Sequence, residues 1–245
     1  MTRISIVKWG CLKRQLNGKI LQRWNSKLFV INSVDEIAYM PQVENAARWQ
    51  HLPDKEVCTR LQPKLNTDIT IAITEYSLED NYYMRKVADK LIIISLFEIG
   101  DILQHYHIPI ENFILKNIYA IVTLLHAYPN LPNTRDQIPD IIHEENRSCL
   151  FDMNGIKTDV IYFFTDKPSL CLQCEANLLQ RQLPANFVSN LKHELGRMRK
   201  PLFNRICDFV KCHPIWSIVI AVISQLFIGL LASLFANYLF FLFKD

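Results

Sequence analysis

The residues best placed to do chemistry are His143-Glu-Glu-Asn-Arg-Ser-Cys149 and, further on, Cys171-Leu-Gln-Cys174. A CxxC presents two thiolates to one ion from a tight turn. An upstream His and Cys complete a Cys₃His set, the closed tetrahedral arrangement of structural zinc. The spacing predicts a zinc held by His143, Cys149, Cys171 and Cys174. Its job would be structural, tying the loop after a core helix to the next helix. The alternative is a group of free thiols with His143 merely exposed. Cys11, Cys58, Cys207 and Cys212 lack such spacing and read as small apolar residues. Asp152, Asn154 and Asp159 lack the spacing and terminal Glu of a calcium loop, so a polar-rimmed turn is expected there. GxGxxG, Walker and GxSxG motifs are absent.

The elements that must position these donors come next. The run ISIVKW near the start alternates and is β-branched, predicting a strand. Leu16-Asn17-Gly18-Lys19 carries an Asn-Gly hairpin-turn signal, and Lys27–Ser33 predicts a second strand. From Asp35 to Asn66, prolines 41, 53 and 63 interrupt the pattern, and ENAARWQHL predicts one short helix. Packing is the expected role of Trp49 and His51. Asp68–Thr74 and Lys90–Leu96 are apolar runs of the kind buried on both faces of a sheet. The stretch between them predicts a polar loop or short helix. Helices are expected over Phe97–Tyr106, Glu111–Ala127, Cys171–Gln182 and Pro184–Lys200, with a proline-rich loop after the second. This alternation gives an α/β (α+β) domain with a mixed sheet.

Cys212–Phe243 runs roughly 30 residues without Asp, Glu, Lys or Arg, more than the about 20 a membrane-spanning helix needs. Trp216 and Tyr238 suit the two interfacial belts. Upstream stand Lys192, Arg197, Arg199, Lys200, Arg205 and Lys211, opposed by Glu194 and Asp208. Positive charge stays inside, so the expectation is a tail-anchored, single-pass protein of the inner (plasma) membrane with its N-terminal domain cytoplasmic. The basic residues would meet anionic lipid. Ala221, Gln225, Gly229, Ala232, Ser233 and Ala236 recur every three or four residues. They predict a helix face through which copies could self-associate, as against a plain anchor.

Composition limits the remaining classes. The chain has 245 residues, 50% hydrophobic and 21% charged, with a net charge of +3, too small for a typical nucleic-acid binder. The charged N-terminus leaves no apolar signal-peptide core. Seven cysteines in a cytosolic domain favour thiols or metal over disulfides. The expected organisation is 1–66, N-terminal strands and irregular region; 67–200, a zinc-stabilised domain; 201–214, a basic juxtamembrane linker; 215–243, the span.

The order of DITIAIT with Leu78 after it, KLIIISL, a helix, His143 six residues before Cys149, and a CxxC ahead of a helix resembles the archaemetzincin-type zinc peptidases. The resemblance covers about residues 66–182 and implies a metallopeptidase-like fold with a structural zinc. Those enzymes carry HExxHxxGxxH, and this chain has no HExxH; YAIVTLLHA keeps only His126, and His143-Glu144 lacks a second His four residues on. His105 and His107 are not spaced to replace it. A catalytic zinc needs three protein ligands and a carboxylate base. The resemblance therefore implies a domain that has lost its catalytic site and keeps the structural metal; the first reading is a non-enzymatic domain at the membrane that senses or binds an unknown cytosolic protein or ligand. Its layout is that of a membrane-perturbing effector, as in bacterial anti-phage defence. Two other readings stay open: a membrane-tethered zinc metallopeptidase using His126, His143 and Glu144, and a scaffold anchoring a cytosolic complex.

Overall fold

The computed structural model describes residues 1–38, 51–131, 142–143, 148–152, 156–165, 168–198 and 202–242. It divides into two compact units, Met1–Arg199 and Lys200–Asp245.

The first unit is built on a five-stranded sheet. Its strands are β1 (Thr2–Trp9), β2 (Phe29–Ile37), β3 (Ile69–Thr74), β4 (Met84–Ala88) and β5 (Leu91–Ser95). The spatial order is β2-β1-β3-β5-β4. β1 pairs in parallel with β2 and β3, and β3 in parallel with β5; only β4 runs antiparallel, against β5. The sheet is therefore mixed, and the α/β class read from the sequence holds. Every residue of β3 and β5 is buried, which is why both appear as unbroken apolar runs.

The sheet separates two cores. Ile4, Ile6, Ile69, Ile71, Ile73, Ile92 and Ile94 face the larger one. It is closed by α3 (Ile99–His105), α4 (Ile110–Ala127), α6 (Leu172–Gln180) and α7 (Ala185–Leu195). Val7, Trp9, Ala72 and Ile93 face the other way, onto Val57 of α2 (Asp54–Arg60) and Leu61. Successive side chains of a strand point to opposite faces, so each central strand feeds both cores. Between α4 and α6 lie a 3₁₀ turn, Lys157–Ile161, and the short α5 (Tyr162–Thr165).

Several expectations need correction. Asn17-Gly18 makes no hairpin, because β1 and β2 are parallel and require a crossover. Asn17 instead caps α1 (Gly18–Gln22), its side chain accepting from the Lys19 N–H at 3.1 Å. Glycine is needed at 18 for closeness: a Cβ there would lie 2.9 Å from Val34 Cγ1. The stretch expected to be a loop or short helix contains β4, and Asp54–Arg60 forms a helix where the pattern looked weak. The short helix expected over 44–52 and the proline-rich stretch after α4 fall largely outside the described residues. Of the cysteines read as small apolar residues, Cys58 donates to the Val87 carbonyl at 2.9 Å, whereas Cys11 and Cys212 are exposed.

A buried polar network fastens α4 and α7 to the start of the sheet. Tyr119 of α4 is fully buried and donates to Glu194 Oε2 at 2.6 Å, while Trp24 Nε1 donates to the Tyr119 hydroxyl at 2.8 Å. The Lys27 N–H donates to Glu194 Oε1 at 2.8 Å. Glu194, counted from the sequence among the charges beside the span, is thus a core residue. Burial, and then the neighbouring Glu194, push the Tyr119 phenol well above its usual range.

The second unit holds α8 (Leu202–Cys212) and α9 (Pro214–Leu242). Within α9, Pro214–Tyr238 is long and apolar enough to cross a membrane; an 18-residue window of it has a mean hydropathy of 2.5, and none of that window is buried. At 1.5 Å per residue these 25 residues extend about 37 Å, enough to cross a hydrocarbon core of about 30 Å with some tilt.

Candidate metal centre

Three segments converge on one point. His143 lies beyond α4 and forms an isolated parallel bridge with Asp152, and Cys149 bridges Ser169. Paired bonds hold the second bridge, Leu150 N–H to Ser169 O at 2.9 Å and Ser169 N–H to Ser148 O at 3.0 Å. Cys171 is the N-cap of α6, and its sulfur accepts from the Cys174 N–H at 3.4 Å. Cys174 then lies in the first turn with its side chain turned inward.

The ligand atoms of His143, Cys149, Cys171 and Cys174 all lie within 4.8 Å of one another. Cys149 and Cys174 are fully buried. Their sulfurs are 3.8 Å apart, and Cys171 Sγ is 3.4 Å from His143 Nε2. A tetrahedral zinc with ligands at about 2.3 Å (S) and 2.0–2.1 Å (N) sets an S–S edge of about 3.8 Å and an S–N edge of about 3.6 Å. The donor set thus fits a tetrahedral metal in chemistry, and these two distances match its edges. The four residues named from spacing are brought together; no other grouping of three or more His, Cys, Asp and Glu occurs among the described residues.

The surroundings favour thiolate. The Cys149 thiol is held down to about 5, first by the hydrogen bond from Cys174 and then by backbone N–H groups of Cys171 and Phe151. The Cys174 thiol is pushed up because it donates to Cys149 and is buried. The two sulfurs lie at van der Waals range, and a soft cation bound between them would replace the thiol protons. The Cys171 N–H donates to Cys149 Sγ at 3.4 Å, the kind of outer-shell bond that would orient this sulfur toward a metal. Asp152 was read only as part of a turn rim. It is buried, and burial raises its carboxyl while the nearby His143 and Lys116 lower it. No spacing rule would have picked it out; its place depends on the bridge to His143.

The peptidase pattern has no counterpart on α4. With His126 in its last position, the HExxHxxGxxH spacing falls on Lys116, Asn117, Ala120 and Thr123. The Asn117 amide donates to the Phe113 carbonyl at 2.9 Å and the Thr123 hydroxyl to the Tyr119 carbonyl at 2.7 Å. His126 Nε2 lies 3.2 Å from Thr2 Oγ1, and its ring packs on Phe187. His105 and His107 are exposed, and Glu144 lies outside the described residues. His51 bonds Ser77 Oγ at 2.7 Å.

The fold can now be set beside known structures. It resembles an archaemetzincin. The similarity is to the crystal structure of archaemetzincin from Methanopyrus kandleri, with a TM-score of 0.47 and 11% identity over 74% of this chain and 95% of that one. The resemblance read from the order of elements is therefore present, as a weak likeness of fold. No protein-family model matches the chain, and no curated protein matches it.

The residues expected at the membrane distribute as follows. Lys192 pairs with Glu175 at 2.7 Å. Arg197 Nη1 donates to the Asn25 carbonyl at 2.6 Å, with its guanidinium over the Trp24 ring. Arg205 and Lys211 lie on α8; Arg199 and Lys200 are outside the described residues. Ala221, Gln225, Gly229, Ala232, Ser233 and Ala236 are exposed on α9. At 100° per residue they fall within about 120° of its circumference. A Cβ at Gly229 would meet nothing within 4 Å.

Proposed function

We propose that the protein is a non-catalytic, zinc-clamped domain held at the cytoplasmic face of the inner membrane by α9. The observation that carries this reading is the closure of the donor set. Three sulfurs and one imidazole fill a tetrahedral zinc, and no position is left for substrate or an activated water. In this reading His143, Cys149, Cys171 and Cys174 hold the metal, which supplies a crosslink between the segment after α4 and the N-terminus of α6.

The domain binds a cytosolic partner or ligand, and the response is delivered in the bilayer. The small and polar face of α9 supports self-association of copies there, because small residues let helix backbones approach and the Gln225 amide seeks a partner in hydrocarbon. From this layout we infer a membrane-perturbing effector of the kind used in bacterial defence against phage.

Two measurements test the reading. Induced expression in bacteria carrying a membrane-potential dye should depolarise the cells, and Gln225→Leu with Gly229→Leu should abolish the effect while the protein stays in the membrane. Absence of depolarisation both on induction and during phage infection would reduce α9 to an anchor. A second, exchangeable metal together with peptidase activity lost in Glu144→Gln would replace the non-catalytic reading by an enzymatic one.

A further inference from the structure

The stretch before the span looked from the sequence like a basic linker. The structure makes it a helix, α8, with an ordered division of its surface. Leu202, Phe203, Ile206, Phe209 and Val210 are all substantially exposed, from 42% for Phe209 to 74% for Phe203. Projected at 100° per residue, these five fall within an arc of about 120°. Arg205 and Lys211 fall at the two borders of the opposite arc, and Asp208 at its centre. A solvent-facing helix has no use for five large apolar side chains on one side, and a fully buried helix would not keep three charges on the other.

The place of α8 in the chain identifies what covers that side. Only His213 separates it from α9. The His213 N–H donates to the Phe209 carbonyl at 2.8 Å, and the Ser217 N–H to the His213 carbonyl at 3.0 Å. Between these bonds Pro214 offers no N–H, so the Val210 carbonyl loses its helical donor and the ladder is broken at that point. The apolar stretch begins at Pro214 itself, with Trp216 close to its start. A helix tied this closely to a membrane span must sit at headgroup level.

We infer that α8 is an interfacial helix that lies in the plane of the bilayer surface, its apolar side sunk into the headgroup and acyl boundary. The inference rests on the membrane-spanning reading of α9. Arg205, Asp208 and Lys211 share the arc opposite the apolar one, so they lie on the side away from the acyl chains, where the two long cations reach headgroup phosphates and water. Pro214 lets one continuous run of chain turn from lying on the membrane to crossing it. Such helices sink about 5–10 Å below the surface, deep enough to wet Phe203 and Ile206 with acyl chain.

The full chain, purified in detergent and reconstituted into phosphatidylcholine vesicles containing phosphatidylglycerol, tests this directly. Two variants carry a reporter thiol, Ile206→Cys on the apolar side and Asp208→Cys on the polar side. Each is exposed to a membrane-impermeant maleimide, and labelling of that peptide is followed by mass spectrometry, with integration scored by flotation after alkaline carbonate. The expected result is that both variants float and that position 206 labels roughly tenfold more slowly than 208. Detergent above its micelle concentration, which dissolves the surface but not the helix, should shrink the difference. Equal labelling in floating vesicles would overturn the interfacial placement and leave the span intact. Failure to float would overturn the span itself. Protection of 206 with oxidative crosslinking through that thiol between copies would also overturn it, since a second copy and not lipid would then cover the face.

Discussion

Replacing Cys174 by serine is the sharpest test of the metal centre. The sulfur is fully buried, 3.8 Å from Cys149 Sγ, and is one of four donors. Serine keeps the shape but binds zinc poorly, and the buried Cys149 thiolate would be left with hydrogen bonds such as that of the Cys171 N–H in place of a metal. Breaking a buried charged pair by removing one member costs about 3–5 kcal/mol. Loss of a ligand held at about a thousand times its Kd costs a similar 4 kcal/mol. These describe one event and are not summed. A metal held there would tie down the segment carrying Leu150, Phe151 and Leu170, all buried, each worth about 1.5–3 kcal/mol. A loss of about 4 kcal/mol is therefore enough to free that segment. The sheet, packed on α4 through other residues, keeps its core. The full chain in detergent should lose its zinc by elemental analysis. Its melting temperature should fall by roughly 8–16 °C, since 1 kcal/mol moves a domain of this size about 2–4 °C. Hydrogen exchange should rise first over 148–152 and 168–178, before the strands. If the variant keeps its metal, or if metal-free and metal-loaded wild type melt together, the clamp is not what holds this segment.

Further outcomes follow from the rest of the structure. Tyr119→Phe strands Glu194 Oε2 and Trp24 Nε1 at once, and a hydrogen bond to a charged group is worth about 1.5–3 kcal/mol; denaturant melts should show a loss of about 2 kcal/mol, and a loss below about 0.5 kcal/mol would mean water repairs the network. Asp68 is held below its usual range, first by the Arg3 backbone N–H at 2.8 Å and then by the Arg3 side chain. A depressed carboxyl stabilises the fold above its unfolded pKa and ceases to do so as pH falls through its folded value. Asp68→Asn should therefore be slightly less stable than wild type at pH 7, and the two should converge below about pH 4; a gap that widens in acid would contradict this.

Much of the site was legible because metal ligation is local chemistry. CxxC fixes two donors by itself, and His143 with Cys149 supplied the others at a plausible distance along the chain. β3 and β5 were legible because burial on both faces writes unbroken apolar runs, β1 because its residues alternate and are β-branched, and α9 because lipid tolerates no charge. β4 was missed because an edge strand needs only part of its surface apolar, and Met-Arg-Lys-Val-Ala reads equally well as a polar turn. Asn17-Gly18 misled because a cap and a tight turn use the same two residues. The strand order depends on pairing across distant segments, which no single window contains. α8 was hidden by its own cations: counting charge made it a basic linker, and only angular position showed an apolar side.

The two outer strands of the sheet carry a consequence for crowding. Among the described residues no strand pairs with the outer edge of β2 or of β4, and such edges are the usual route by which folded chains zip together. On β2, Asp35 engages Lys64 and Ser33; on β4, Arg85 grips Asp54 and Asp80 and Lys86 bonds the Leu131 carbonyl. Each rim is thus sealed by charges already committed to neighbours in the same molecule. Domains confined to a surface collide far more often than domains free in solution. If α9 spans a membrane as proposed, sealed rims would let many copies share a small patch of it without fusing into an aggregate.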